Sequence, residues 1–196
     1  MDLIWSDTGD IVVAGPDSHA QMFRSRPGRA LVGLRFASGL GPVVLGVPAH
    51  ELRDQRLPLD AIWPAVEVRR LAERIGAGPT PGETLVSAAE ERLNASDGSV
   101  AANEEIARLL RAGRSVASVA ESLGLSERQL RRRSLDAFGY GPKTLSRILR
   151  LDRAVLLARE GLPFVESAAE AGYADQAHLA RDVRALAGVS LTQLTR

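Results

Sequence analysis

The sequence predicts an α+β fold in three parts. Residues 1–76 read as a small β-rich domain and 77–98 as a linker carrying a helix. Residues 99–196 read as an all-α domain with two helix-turn-helix units joined by a long helix. Three observations predict this. Short apolar runs broken by Gly-Pro and Pro-Gly pairs occupy the first third. A breaker cluster, Ala77-Gly78-Pro79-Thr80-Pro81-Gly82, closes that region. Beyond Ser99 the apolar residues recur at helical spacing, and a short helix, Gly turn and longer helix occur in that order twice.

In the first part, Asp10–Pro16 is a short apolar strand ended by Gly15-Pro16. Arg29–Phe36 is a second strand, entered through Pro27-Gly28. Leu3–Trp5 and Ala20–Phe23 suit edge strands. Pro42–Gly46 suits a short helix or turn, and Leu57–Asp60 a loop leading into a helix over Pro64–Ile75. In the linker, Leu85, Ala88, Ala89 and Leu93 put one apolar side on a helix over Glu83–Asn94.

The third part predicts helices over Ala101–Ala112, Val116–Leu123, Glu127–Phe138, Lys143–Glu160, Phe164–Ala171, Asp175–Ala187 and Leu191–Thr195. Ser115 and Ser126 stand at cap positions, and Pro142 stands at a helix start. The run Val119–Ser126 repeats as Ser167–Ala174. Each copy carries Gly124 or Gly172 where a tight turn needs a left-handed residue.

Composition removes several classes of function. Hydrophobic residues make up 45% of the chain, enough for a core, and no 18-residue apolar run exists to span a membrane. Cysteine is absent, so disulfides, thiolate zinc sites and thiol catalysis are excluded. Met1–Trp5 lack the basic-then-apolar pattern of a secretory signal, which leaves the cytoplasm as the simplest location. Net charge is +1 but unevenly spread, at −3 over residues 1–98 and +4 over 99–196. Within Ser126–Arg153 eight basic residues face three acidic ones, and seven of the eight are Arg. A local basic segment of this kind suits a polyanion, and the arginine fork suits phosphate or guanine.

On the helix over Glu127–Phe138, Leu130, Ser134 and Ala137 or Phe138 fall inward. Arg128, Arg131, Arg132 and Leu135 then share one outward stripe. On the helix over Asp175–Ala187, Leu179, Val183 and Leu186 fall inward and leave Gln176, Ala177, His178, Arg181 and Arg184 outside. Such a stripe reaches base edges in a major groove, where Gln reads adenine and Arg reads guanine, each for roughly 1–3 kcal/mol.

Val116–Leu194 resembles the DNA-binding domain of AraC/XylS-type transcription regulators. The resemblance rests on Val119-Ala120, Gly124-Leu125-Ser126, Leu130-Arg131-Arg132, Phe138-Gly139, Pro142 and Arg150-Leu151. It continues through Ala168, Ala171–Gln176, His178-Leu179, Arg181 and Gly188-Val189. It implies two helices inserted into successive major-groove segments on one face of double-stranded DNA. It further implies base contacts from Arg128, Arg131, Arg132, Gln176, Ala177, His178 and Arg181. Phosphate contacts are implied at Ser126, Arg133, Lys143, Thr144, Arg147 and Arg153. Departures from the family pattern are Ser134 and Val183, where aromatics are usual, and Ser190-Leu191 before the final helix.

The first part is similar to shortened, partly cupin-like sensor domains on some members of that family. Some 60–75 residues are too few for eight strands of about 5–6 residues with their turns, so a partial barrel or small sheet is expected. The resemblance makes room for a small-molecule effector, a second copy of the chain and RNA polymerase as partners, and leaves activator and repressor open. No cofactor or metal and no catalysis are expected.

The candidate effector contacts are Trp5 and Arg35. The plainer alternatives are a core or interface role for Trp5 and Trp63, and a salt bridge from Arg35 to Asp17 or another acid. His19 and His50-Glu51 could serve as metal ligands in a cupin-like site, but the three histidines are scattered at unrelated spacing. The competing functions are a cupin-like metal enzyme carrying a DNA-binding module, and a protein-interaction regulator whose helical domain binds no DNA.

Overall fold

The computed structural model describes residues 1–21, 28–78, 80–96 and 99–195. Four strands form one antiparallel sheet in the order β3-β1-β2-β4. They are β1 (Asp2–Ser6), β2 (Ile11–Ala14), β3 (Leu31–Arg35) and β4 (Arg56–Pro58). Helices follow as α1 (Gly41–Leu45), α2 (Ala65–Ala77), α3 (Pro81–Asn94), α4 (Ser99–Arg111) and α5 (Val116–Ser122). The rest are α6 (Glu127–Phe138), α7 (Pro142–Arg159), α8 (Phe164–Glu170), α9 (Gln176–Ala187) and α10 (Leu191–Leu194). None of the described helices is long and apolar enough to cross a membrane.

The chain divides into two compact units. The first holds Met1–Asp17, the described part of 23–105, and Arg133–Gly139. The second holds the described part of 18–22, Ile106–Arg132, and the chain from Tyr140 onward. Helix α6 therefore contributes Glu127–Arg132 to one unit and its remaining residues to the other.

In the first unit the period-2 pattern of β1 and β2 puts one apolar face on the core. Leu3 opposes both Val13 and Leu34, and Val13 opposes Leu57. Leu3, Ile11 and Val13 pack with Val44 and Leu45 of α1, Leu71 and Ile75 of α2, and Leu85, Ala88 and Ala89 of α3. Helix α3 lies within the span expected as a linker, yet its apolar side joins this core.

Two further differences from expectation have simple causes. β1 sits inside the sheet, not at its edge, because both flanks of Leu3 find partners. Leu57 and Pro58, read as the start of a loop over Leu57–Asp60, instead join Arg56 in a short fourth strand on β2; Leu59–Ala61 then makes a 3-10 turn. Pro58 lies at the end of that edge strand, where a missing donor is tolerated. The sheet is small and open, as the length allowed. Of the proposed strand Ala20–Phe23, residues 20–21 have no regular structure, and the rest lies outside the described residues.

Trp63 belongs to the core, its indole Nε1 donating to Leu45 O at 3.2 Å beneath the Arg92 guanidinium, 4.0 Å from the ring centre. Trp5 is half-buried against the same core.

The second unit is wholly helical apart from its loops. Leu151, Ala154 and Val155 of α7 pack with Ala168 of α8, Leu179 and Val183 of α9, and Leu191 of α10. Ser190, at a position where the family pattern differs, caps α10 in a reciprocal box with Gln193.

Candidate nucleic-acid interface

Both helix-turn-helix units are closed by one hydrogen-bond scheme. In the first, Gly124 N donates to Glu121 O at 3.0 Å and Leu125 N to Ala120 O at 2.9 Å. In the second, Gly172 N donates to Ala169 O at 3.0 Å and Tyr173 N to Ala168 O at 2.9 Å. The glycines sit at φ +64° and +82°, a region where a Cβ is strained. The internal sequence repeat is thus a repeat of turn geometry.

The caps that follow differ by one residue. Ser126 opens α6: its Oγ accepts from Gln129 N at 3.3 Å, and Gln129 Oε1 accepts from Ser126 N at 2.8 Å. Asp175 opens α9, its carboxylate accepting from His178 N at 2.6 Å. Aligned on these caps, Leu130 matches Leu179, and both are fully buried. Arg128, Arg131 and Arg132 then match Ala177, Ala180 and Arg181. The first helix offers three cations where the second offers one.

Burial of Leu130, Ser134, Ala137 and Phe138 fixes how α6 is rotated. Arg128, Arg131 and Arg132 are left exposed, and Leu135 is half-buried. Among the described residues none of the three makes an ion pair. In α9, Leu179 and Val183 are buried and Leu186 half-buried, while Gln176, Ala177, Arg181 and Arg184 are exposed. His178 is half-buried, its ring edge-on to Tyr173 with centroids 5.1 Å apart. It is partly a packing residue.

The phosphate candidates divide. Lys143 and Thr144 stand exposed on the first turn of α7, and Arg133 is exposed on α6. Ser126 is exposed, but its hydroxyl is engaged in the cap. Arg153 approaches Glu170 at 4.0 Å, both well exposed. Arg147 departs furthest from expectation. Its Nε and a terminal nitrogen reach Asp182 Oδ1 at 2.9 and 2.8 Å.

Asp182 is the residue that sequence reasoning missed. It lies on the inner side of α9 with 6% exposure, a charge at a core position. Tyr173 Oη donates to its Oδ2 at 3.2 Å, and Arg150 approaches the same oxygen at 3.7 Å. The Arg150 guanidinium also stacks 4.5 Å from the Tyr173 ring centre. Two arginines one turn apart on α7 thereby hold α9 through a single carboxylate. The available signal was the pairing of Arg147 and Arg150 at i, i+3 with an acid directly before Val183.

Asp182→Ala leaves two guanidinium groups and a buried phenol without their acceptor. Because both arginines keep partial access to water, the expected loss is about 2 kcal/mol of unfolding free energy in denaturant titration. A change below about 0.5 kcal/mol would show that the cluster is incidental.

Burial, reinforced by the Asp182 carboxylate, pushes the Tyr173 hydroxyl up to about 12. The unfolded value is about 10. The neutral phenol therefore stabilises the fold in full below about pH 10, and that contribution is lost as pH rises toward 12. Phenolate absorbance should show a late rise in that window that Tyr173→Phe abolishes. An unchanged late rise in the variant would refute the assignment.

In the first unit Arg35 pairs across the sheet with an acid. It bonds Asp2 at 2.8 and 3.2 Å, with its side chain 82% exposed. Asp17 is taken instead by Arg56 at 2.6 Å. His50 Nδ1 pairs with Asp136 at 3.2 Å, and His19 bonds Ser18 and Gln21. Among the described residues no three potential metal ligands cluster.

Residues 119–196 match the family model described as a helix-turn-helix domain. The match begins at Val119 in α5 and takes in both Gly turns and both capped helices. No curated protein matches the chain.

Proposed function

We propose that this chain, whose residues 119–196 form an AraC-type helix-turn-helix domain, is a transcription regulator that reads DNA with both α6 and α9. On this reading Arg128, Arg131 and Arg132 meet base edges in one major-groove segment. Gln176, Ala177, His178 and Arg181 meet them in the next, about 34 Å along one face of the duplex. The observation that carries it is the exposed arginine stripe on a capped helix directly after a Gly turn. Three like charges on one stripe repel one another, and a polyanion relieves that repulsion.

The one-residue offset between the caps supports unequal half-sites. The α6 segment, with three forks, suits guanine-rich steps; the α9 segment relies on Gln176 and Arg181. Lys143, Thr144, Arg133 and Arg153 supply the phosphate contacts, while Arg147 acts by fixing α9. The first unit serves as a sensor, a dimerisation module, or both.

The test is selection from random duplexes, followed by titration against salt. A single enriched motif is expected, with affinity falling on a log–log slope of roughly −3 to −5 for its phosphate contacts. A flat salt response with no enriched motif would favour a protein-interaction role.

A further inference from the structure

Within the first unit lies a recess of about 420 Å³, in the size range of small-molecule sites. Val43, Val47 and Ala102 form its apolar wall, and its polar groups are Asn103, Arg133 and Asp136. Two of these three are engaged. Asn103 Nδ2 donates to Gly39 O at 3.1 Å, and Asp136 faces His50 at 3.2 Å. Arg133 is exposed and makes no ion pair among the described residues. The recess thus combines an apolar wall with one uncommitted guanidinium.

That pairing selects its ligand by chemistry. A planar fork of donors beside hydrocarbon suits an anionic, planar head on an apolar body. Asp136, the acid in the lining, is turned toward His50. The floor is set by α6 itself, because Arg133, Asp136 and Ala137 share one face of that helix at i, i+3 and i+4. Its other half carries Arg128, Arg131 and Arg132.

We propose that this recess binds a small amphipathic carboxylate, with its apolar body on Val43, Val47 and Ala102 and its head forked onto Arg133. Occupancy thereby withholds Arg133 from DNA. The second statement rests on the DNA-binding reading above; the first does not.

Calorimetric titration of the full chain with 3-cyclohexylpropanoate, and with its uncharged amide, tests the site. The acid should bind with a dissociation constant of about 1 mM or tighter, as expected for a ligand of this size. The amide should bind at least about fivefold more weakly, having lost the charge-assisted fork. Arg133→Gln should erase the preference for acid over amide. Ala102→Glu, at an exposed position outside the DNA stripes, should lose the acid by a similar factor while keeping duplex affinity. Acid-saturated protein should bind the selected duplex about three- to tenfold more weakly, with a salt slope shallower by about 1.

Absence of binding, equal binding of acid and amide, or an Ala102→Glu protein that still takes the acid would each overturn the site. Unchanged duplex affinity at saturation would overturn the withholding of Arg133. A full chain that binds no duplex at all would instead sink the regulator reading, and the calorimetric results would still judge the recess.

Discussion

Replacing Arg131 and Arg132 together by Ala is expected to weaken binding to a selected duplex at least about 100-fold, without unfolding the protein. Each bidentate arginine–guanine contact carries roughly 1–3 kcal/mol, and tenfold in affinity corresponds to about 1.4 kcal/mol. Two such contacts on neighbouring side chains need not add fully, so a hundredfold is a conservative expectation. Both side chains are exposed on a helix whose inner face is fixed by Leu130, so truncation opens no cavity. Removal of like charges one turn from Arg128 should leave stability equal or slightly raised. Fluorescence anisotropy with labelled duplex measures the first effect and thermal unfolding the second. Affinity within about threefold of the parent, with the fold intact, would remove α6 from the interface.

The second large effect concerns Gly15, at the end of β2. Its amide donates to Gln55 O at 3.1 Å, which draws two backbones together. A Cβ built on Gly15 would lie 1.7 Å from Leu52 O, a main-chain atom that cannot swing aside. Gly15→Ala must therefore part β2 from the segment leading to β4, at an expected cost of about 3 kcal/mol. Gly76, near the end of α2, offers an internal control, since its added Cβ would meet nothing within 4 Å. Gly76→Ala should stabilise by about 0.5 kcal/mol through helix propensity. Denaturant midpoints of the two variants should move in opposite directions. Movement in one direction, or no shift for Gly15→Ala, would contradict the close approach.

Particular residues show how much was legible beforehand. The helical half was readable nearly to the residue, because each start and stop carries local chemistry. Ser115 caps α5, Ser126 caps α6, Asp175 caps α9, and glycines with positive φ end the intervening turns. Outward placement of Arg128, Arg131 and Arg132 followed from helical periodicity and the apolar Leu130. The sheet was harder. Leu3–Trp5 looks the same whether it has one neighbour or two, and Arg56–Pro58 is strand only because β2 runs beside it. Arg35 and Asp2 are 33 residues apart, so no local pattern announces their pairing.

What the sequence by itself determined was the order of helices, the doubled turn and the arginine stripe. These depend on neighbours within about one turn of helix, and caps, periodicity and glycine act over that range. What only the tertiary structure decided was which charges remain available. Arg147 and Arg132 are equal as letters, yet one is spent on Asp182 and the other is not, because an ion pair forms between groups brought close in space. The same holds for Arg133, whose place beside a recess depends on residues distant in the chain. Local chemistry draws the elements; proximity decides what each side chain has left to offer.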